Sequence, residues 1–256
     1  MSFLDEGIEL SNSGCYEKAI KMFDKALEIN PQNEDAWYAK GLALTEMGFH
    51  EEVIRSYSKT QEINPQNEQL WNYKASELSC IECWDEAIKV FDKLLEINSQ
   101  HNDARRAKGD VLFYLERYEE AIEVYDKILE LHLHEKSYDW ILVRMVCSLF
   151  NLERYEEVIK VCDKVLEIHP QDEETWCYKG LGFSYLKHSE EAIKAYDKTL
   201  DINPQHSDAW CEKARSLCYL KRYEDAVEAY DKALEIGPQS EIILAEKSNI
   251  ESLLKS

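Results

Sequence analysis

Between Asn33 and Pro65 the apolar side chains fall on two separate helical stripes. Trp37, the small Gly41 and Leu44 are spaced by four and three residues, one face of an α-helix. After Gly48 a second stripe runs through Val53, Ile54, Tyr57 and Ile63. Pro65 stops it, because proline has no amide hydrogen and its ring clashes with the preceding turn. Asn33 stands where a side-chain cap is needed, with Glu34 and Asp35 near the positive end of the first helix. The pattern predicts two antiparallel helices joined by a turn at Gly48.

The same pattern returns at a fixed step of 34. Trp37 and Trp71 are followed by Arg105 at the equivalent place, and Trp176 by Trp210. Ala19, Val53, Ala87 and Ala121 keep that step, as do Phe23, Tyr57, Phe91 and Tyr125. Both series resume after a short interruption, as Val158, Ala192, Ala226 and as Cys162, Tyr196, Tyr230. Prolines close most repeats, at 31, 65, 170, 204 and 238. A recurrence of this length is the mark of a stacked repeat architecture.

Small and large residues alternate in register. Gly41, Gly109 and Gly180, with Ala75 and Ala214 elsewhere, stand where the first helix approaches the second, and aromatics such as Tyr57 and Tyr125 fill the space beside them. Small-against-large packing fixes an inter-helix angle, and repeating it winds the stack. No helix pair can bury its own stripe, so the chain is expected to be an all-α solenoid of antiparallel helix pairs with one continuous core. The repeats are 1–33, 34–67, 68–101, 102–135, 139–172, 173–206 and 207–240, with a three-residue insertion at 136–138. Residues 241–256, carrying Ile242, Ile243, Leu244, Ile250, Leu253 and Leu254 among Glu and Lys, are expected to form a C-terminal capping helix. No cap precedes the first repeat, so Met1, Leu4 and Ile8 are expected at an open end.

These repeats resemble the tetratricopeptide repeat, whose pattern is Trp, then Leu-Gly, then Tyr, followed by Ala, Phe and Pro. The matches run Trp37, Gly41, Leu44, Val53, Tyr57, Pro65 and Trp176, Gly180, Phe183, Ala192, Tyr196, Pro204. The resemblance covers nearly the whole chain and implies a right-handed superhelix that binds other proteins.

Two departures stand out. The family's Leu before the Gly is replaced by Lys40, Lys74, Lys108, Lys179 and Lys213. Such lysines either lay their aliphatic stems over apolar surface or form a basic row. Between the fourth and fifth repeats, His132-Leu133-His134-Glu135 lacks the closing proline and Lys136-Ser137-Tyr138 is inserted. The fifth repeat then has Leu142 for Trp, Val146 for Gly and Cys162 for the aromatic. A lengthened connection is expected there, whether as hinge, binding feature or sequence drift.

The resemblance further implies a concave groove lined by first helices. Its positions here are Tyr38, Leu42, Asn72, Ser76, Arg106, Asp110, Phe113, Tyr114, Trp140, Val143 and Phe150, then Cys177, Leu181, Tyr185, Arg215, Cys218 and Tyr219. These positions vary between repeats while the packing positions do not. Aromatics and arginines are the side chains best able to anchor an interface, so a peptide with apolar anchors and one or two acidic groups is expected. The family's carboxylate clamp for chaperone C-termini needs a Lys just after the Trp position and basic residues two before it. Here those places hold Leu4, Tyr38, Asn72, Arg106, Val143, Cys177, Cys211 and Met1, Asp35, Gln69, Asp103, Trp140, Glu174, Asp208, so chaperone C-termini are not expected partners.

Composition narrows the field. With 30 Lys+Arg against 51 Asp+Glu the net charge is −21, which repels phosphate backbones and anionic lipid. Nucleic acid and membranes are therefore not expected partners. No apolar run approaches the roughly 20 residues of a membrane span, and the N-terminus carries no secretory pattern, so a cytoplasmic protein is expected. Eight cysteines without a recurring spacing read as reduced thiols. Cys80 and Cys83 form one Cys-x-x-Cys with no second pair, and His132 with His134 could chelate a metal only with Glu135 or Cys147. Neither matches a standard site, and no metal or cofactor is expected. No phosphate loop, nucleophile elbow or His-Glu-x-x-His occurs, and acidic pairs such as Glu51-Glu52 and Glu190-Glu191 recur with the repeat. The sequence thus points away from an enzyme. An interaction scaffold is the leading expectation, with assembly by self-association through the terminal repeats as the alternative.

Overall fold

The computed structural model describes residues 2–132, 139–237 and 241–254, together with the backbone but not the side chain of His132. The chelating reading of His132 and His134, and the insertion at 136–138, fall outside these residues. The described residues form fifteen α-helices and no strand: α1 Phe3–Asn12, α2 Tyr16–Ile29, α3 Glu34–Glu46, α4 His50–Ile63, α5 Glu68–Cys80, α6 Trp84–Ile97, α7 Asn102–Tyr114, α8 Tyr118–His132, α9 Asp139–Asn151, α10 Tyr155–Ile168, α11 Glu173–Tyr185, α12 Ser189–Ile202, α13 Ser207–Tyr219, α14 Tyr223–Ile236 and α15 Glu241–Leu254. The fold is an all-α solenoid of antiparallel helix pairs. Its contacts divide it into an N-terminal unit, residues 1–128, and a C-terminal unit, residues 129–256.

In the N-terminal unit the core is built from glycine–aromatic pairs. A β-carbon on Gly7 would lie 2.5 Å from the Phe23 ring, and one on Gly109 would lie 2.7 Å from Tyr125. Phe23, Tyr57, Phe91 and Tyr125 are fully or almost fully buried, and each ring contributes on the order of 1.5–3 kcal/mol of transfer free energy. Leu4, expected to be exposed, packs into this core instead, Ile8 is exposed, and Met1 lies outside the described residues.

In the C-terminal unit the same pairing joins Gly180 to Tyr196, with a hypothetical β-carbon 2.5 Å from the ring. The fifth repeat inverts it: Val146 fills the glycine place, Cys162 the aromatic place, and both are buried. Volume removed from one helix is restored on the other, which is how a close-packed core absorbs such a change. α15 packs on α14 through Ile243 and Ile250.

Several connections between repeats are held by polar contacts. Asn33 Oδ1 accepts the Ala36 amide at 3.0 Å, as the cap reading requires, and at α7 and α13 the Nδ1 of His101 and His206 accepts instead. Every tryptophan of the register anchors the preceding turn by donating to a proline carbonyl: Trp37 to Pro31 (2.9 Å), Trp71 to Pro65 (2.8 Å), Trp176 to Pro170 (3.0 Å) and Trp210 to Pro204 (3.0 Å). Arg105 replaces the indole with its guanidinium, which donates to the carbonyl of Ser99 at the same offset of six.

The lysines that stand for the family's leucine neither trail into solvent nor form an unpaired basic row. Lys40 reaches Asp24 (2.6 Å), Lys108 Asp92 (2.5 Å), Lys179 Asp163 (2.6 Å) and Lys213 Asp197 (2.6 Å), always sixteen residues back on the preceding second helix. Lys74 has Ser58 at that place and donates to Gln61 at 3.2 Å instead. Lys247 in α15 repeats the bridge to Asp231. α15 therefore keeps the register of a first helix. The lysine stems also bring their ammonium groups over the indoles of Trp37, Trp176 and Trp210, 5.0–5.4 Å from the ring centres.

Candidate functional site

In the N-terminal unit the groove positions expected from sequence take varied roles. Tyr38 is half-buried, with Tyr57 and Tyr73 ring centres 6.3 and 6.2 Å away. Burial pushes the Tyr38 hydroxyl above its ordinary range, and its hydrogen bond with Tyr73 adds to this. Leu42, Ser76 and Arg106 are exposed, and Asn72 is half-buried. Asp110 accepts a hydrogen bond from the Tyr125 hydroxyl at 3.3 Å. Phe113 sits edge-on to Tyr114 and Tyr118.

Beside them lies a buried carboxylate that the groove rule missed. Glu77 takes a hydrogen bond from Thr45 at 3.3 Å and meets His50 Nδ1 at 2.7 Å. Burial drives the Tyr57 hydroxyl up to about 12.

In the C-terminal unit the expected residues separate more sharply. Trp140 is half-buried and Val143 exposed. Cys177 is not a surface residue: it is 5% exposed and packs with Ala192, Tyr196, Leu200 and Ala209. Its thiol is pushed up to about 12 by that burial. The position one after the tryptophan is covered here by α12, and Cys211 at the same place in the next repeat is buried as well. Cys218 is half-buried, and burial raises its thiol too.

Four of the remaining residues converge. Leu181 and Tyr185 from α11 and Arg215 and Tyr219 from α13 line one recess of about 390 Å³, with Ser184, Lys187, Glu212 and Ser216. Tyr185 and Tyr219 are 57% and 79% exposed, so their rings present apolar surface to a partner. Phe150 extends the wall: its ring lies 5.1 Å from Tyr185, which also stacks on Tyr155 at 4.8 Å. At the base Ser184 Oγ meets the Tyr196 hydroxyl at 3.0 Å and Ser216 Oγ at 3.2 Å.

Arg215 is held from two sides. Its Nη1 donates to Glu212 at 2.5 Å and its Nε to Glu246 of α15 at 3.1 Å, and Tyr230 donates to the same Glu246 oxygen at 3.0 Å. Burial opposes the arginine's charge, but the hydrogen bond to Glu246 and the negative charge of Glu212 overcome it and raise its pKa. Burial likewise raises the Glu212 carboxyl. An arginine read from sequence as open to acidic groups is thus already faced by two carboxylates.

The position two after the tryptophan is the one that sequence reasoning passed over. It supplies Tyr73 to the tyrosine cluster, Glu212 to the recess and Glu246 to the clamp on Arg215. Its signal was available: it varies between repeats as strongly as the groove positions do.

Among the described residues no group of three or more His, Cys, Asp or Glu is arranged to hold a metal ion, and no helix is long and apolar enough to cross a membrane. All eight cysteines are free.

Comparison with known proteins agrees with this architecture. A family model described as TPR repeat matches residues 10–48, and one described as tetratricopeptide repeat matches 83–134 and 179–241. A model of the protein prenyltransferase alpha subunit repeat matches 155–185. An uncharacterized protein of Methanocaldococcus jannaschii is 46% identical over 38 residues, a stretch that spans 15% of this chain and 44% of that protein. A tetratricopeptide repeat protein from Parabacteroides merdae aligns over 97% of both chains at 17% identity with a TM-score of 0.53. The C-terminal part of a TPR repeat-containing protein from Cytophaga hutchinsonii aligns over 94% of this chain and 98% of its own, at 13% identity and a TM-score of 0.67. A chain of Naa15/Naa10 bound to HypK-THB aligns over 97% of this chain but 38% of its own, at 15% identity and a TM-score of 0.69. Identities this low speak for the fold, and the repeat matches speak for the family: this chain belongs to the tetratricopeptide repeat family.

Proposed function

We propose that this repeat scaffold captures a segment of a partner protein on the first-helix face of its C-terminal unit, in the recess between α11 and α13. The observation that carries the reading is the pairing of two strongly exposed tyrosines, Tyr185 and Tyr219, with a recess whose floor is ordered by hydrogen bonds. Exposed aromatic rings over a pre-formed polar floor bind with little ordering cost, since neither the floor nor the two-torsion tyrosines have much freedom to lose. Val143, Phe150 and Leu181 supply the apolar anchors beside them. The positions from Tyr38 to Phe113 form a second, more varied surface on the N-terminal unit, where the same partner or another protein docks.

Family membership and the eight free thiols support a non-catalytic, cytoplasmic adaptor. We keep the seven-repeat partition 1–33 to 207–240 with 241–256 as the closing helix, on the register that Lys247 extends.

Site-specific photo-crosslinking tests the reading. A photoreactive phenylalanine derivative at Tyr219 is expected to trap a partner from the native host's extract. The same group at the exposed Lys160 on α10 is expected to trap none. Equal trapping at both positions, or trapping only at Lys160, contradicts the recess.

Self-association has its own observation, the exposed Phe3 and Ile8 of α1. Light scattering separates it: a monomer across concentrations supports the adaptor, an oligomer dissolved by Ile8→Glu supports assembly.

A further inference from the structure

The recess between α11 and α13 is electrically balanced and yet keeps open hydrogen-bonding capacity. Arg215 Nη1 is taken by Glu212 Oε1 and Nε by Glu246 Oε2. Among the described residues, Nη2 of Arg215 and Oε2 of Glu212 enter no hydrogen bond, and neither is a sealed-off buried atom. The two residues stand one turn apart on α13, are joined through Nη1 and Oε1, and both line the recess, so one donor and one acceptor of the same ion pair are left for a ligand. We propose that this pair reads a side-chain carboxamide, a Gln or Asn of the bound partner segment, whose C=O accepts from Arg215 Nη2 and whose NH₂ donates to Glu212 Oε2. The inference rests on the recess reading above and names the chemistry it selects.

Charge decides between an amide and the two ions it resembles. A carboxylate would gain the Arg215 N–H groups but would meet Glu212 and Glu246, two anions against one guanidinium. An ammonium would gain Glu212 but would meet Arg215 and, at the rim, Lys187. The groups that line or clamp the recess, Glu212, Glu246, Arg215 and Lys187, sum to zero, and Asp208, which acts on Glu212 from the adjoining hollow, is exposed and screened by solvent, so neither ion finds a strong net opposite charge. A neutral amide satisfies both open valences without adding charge to a partly dry site, where an uncompensated charge is costly. The flat carboxamide also lies well against the Tyr185 and Tyr219 rings, with Leu181 beside its methylenes. The two ends of the pair are rigid: Glu246, itself held by Tyr230, fixes the guanidinium plane, and donors fixed beforehand discriminate better than mobile ones.

The test uses the full chain, labelled with nitrogen-15, and three small probes: N-acetylglutamine methylamide, N-acetylglutamate methylamide and N-acetyllysine methylamide. The expected result is a saturable shift of the Ser184, Ser216 and Arg215 Nε signals by the glutamine probe, with at least tenfold weaker binding of the other two. In Glu212→Gln one anion is removed, so the recess becomes cationic and the glutamate probe should overtake the glutamine probe. Arg215→Lys removes the planar donor and should weaken the glutamine probe at least tenfold, with an unchanged amide spectrum elsewhere showing that the fold is kept. Preference of the wild-type protein for the acid or the amine overturns the amide inference while leaving the recess a binding site. No saturable shift by any probe also overturns it. The recess reading fails on separate grounds, if crosslinking at Tyr219 traps nothing that Lys160 does not.

Discussion

A β-carbon on Gly41 would stand 2.4 Å from Cε1 of Tyr57, closer than any real contact, so the first helix of this repeat touches the second at a point where only hydrogen fits. Gly41→Leu is expected to destabilise the chain by about 1–3 kcal/mol, because the fully buried ring has nowhere to move. Chemical denaturation measures it, and a curve superimposable on wild type would refute the packing scheme.

The turns between helices hold left-handed residues at Gly14 and Gly48, but in later repeats Glu82, Glu116, Glu153, Lys187 and Lys221 take φ near +60°. A residue with a β-carbon is strained there and glycine is not. Glu116→Gly is expected to stabilise the protein by roughly 0.5–1 kcal/mol despite the entropy glycine adds to the unfolded chain. A rise in the denaturation midpoint checks this, with Glu119→Gly inside α8 as a control that should lower it.

The Lys–Asp bridges recur from repeat to repeat, but their aspartates are about half exposed. Solvent screens them, so Lys179→Met should cost no more than about 1 kcal/mol, and Met145 already stands at that position in the fifth repeat. The bridge orients neighbouring helices more than it stabilises them. A larger loss on thermal melting at low salt would reverse that ranking.

Much of this was legible in the amino-acid order. The step of 34 located Gly41 against Tyr57, the Asn33 cap and the Pro65 stop, because each depends on residues near one another in one hairpin. The lysine bridges were hidden because each partner lies sixteen residues back on another helix and becomes a neighbour only after stacking. The state of Arg215 was hidden for the same reason: Glu212 is one turn away, but Glu246 arrives from α15. Cys177 was misplaced because its cover comes from α12 of the same unit, a contact that the repeat position alone does not reveal.

Alkaline sensitivity follows from the buried thiols and phenols. Burial raises Cys211 to about 11, and Cys177, Tyr57 and Tyr178 to about 12, in the folded protein. Between the unfolded and folded pKa values the native state holds more protons than the unfolded one, so stability falls as pH rises. The contribution is intact below about pH 8.5, the ordinary cysteine range, and is lost progressively toward pH 12. Denaturation midpoints at pH 8 and pH 10.5 should show a marked drop, which Cys177→Ala with Cys211→Ala should lessen. Equal midpoints would contradict the buried placement.

Arg215→Glu is a poor probe of binding, since it would gather three carboxylates where α13 meets α15 and disturb the fold itself. Tyr185 and Tyr219 are better, because their rings lie largely outside the core. Calorimetric titration of the captured partner into wild type and into the Tyr185→Ala, Tyr219→Ala double variant is the most direct measurement. The recess reading predicts at least a tenfold loss of affinity, about 1.4 kcal/mol or more, with an unchanged melting temperature. Undiminished affinity in the double variant would show that the partner binds elsewhere on the chain.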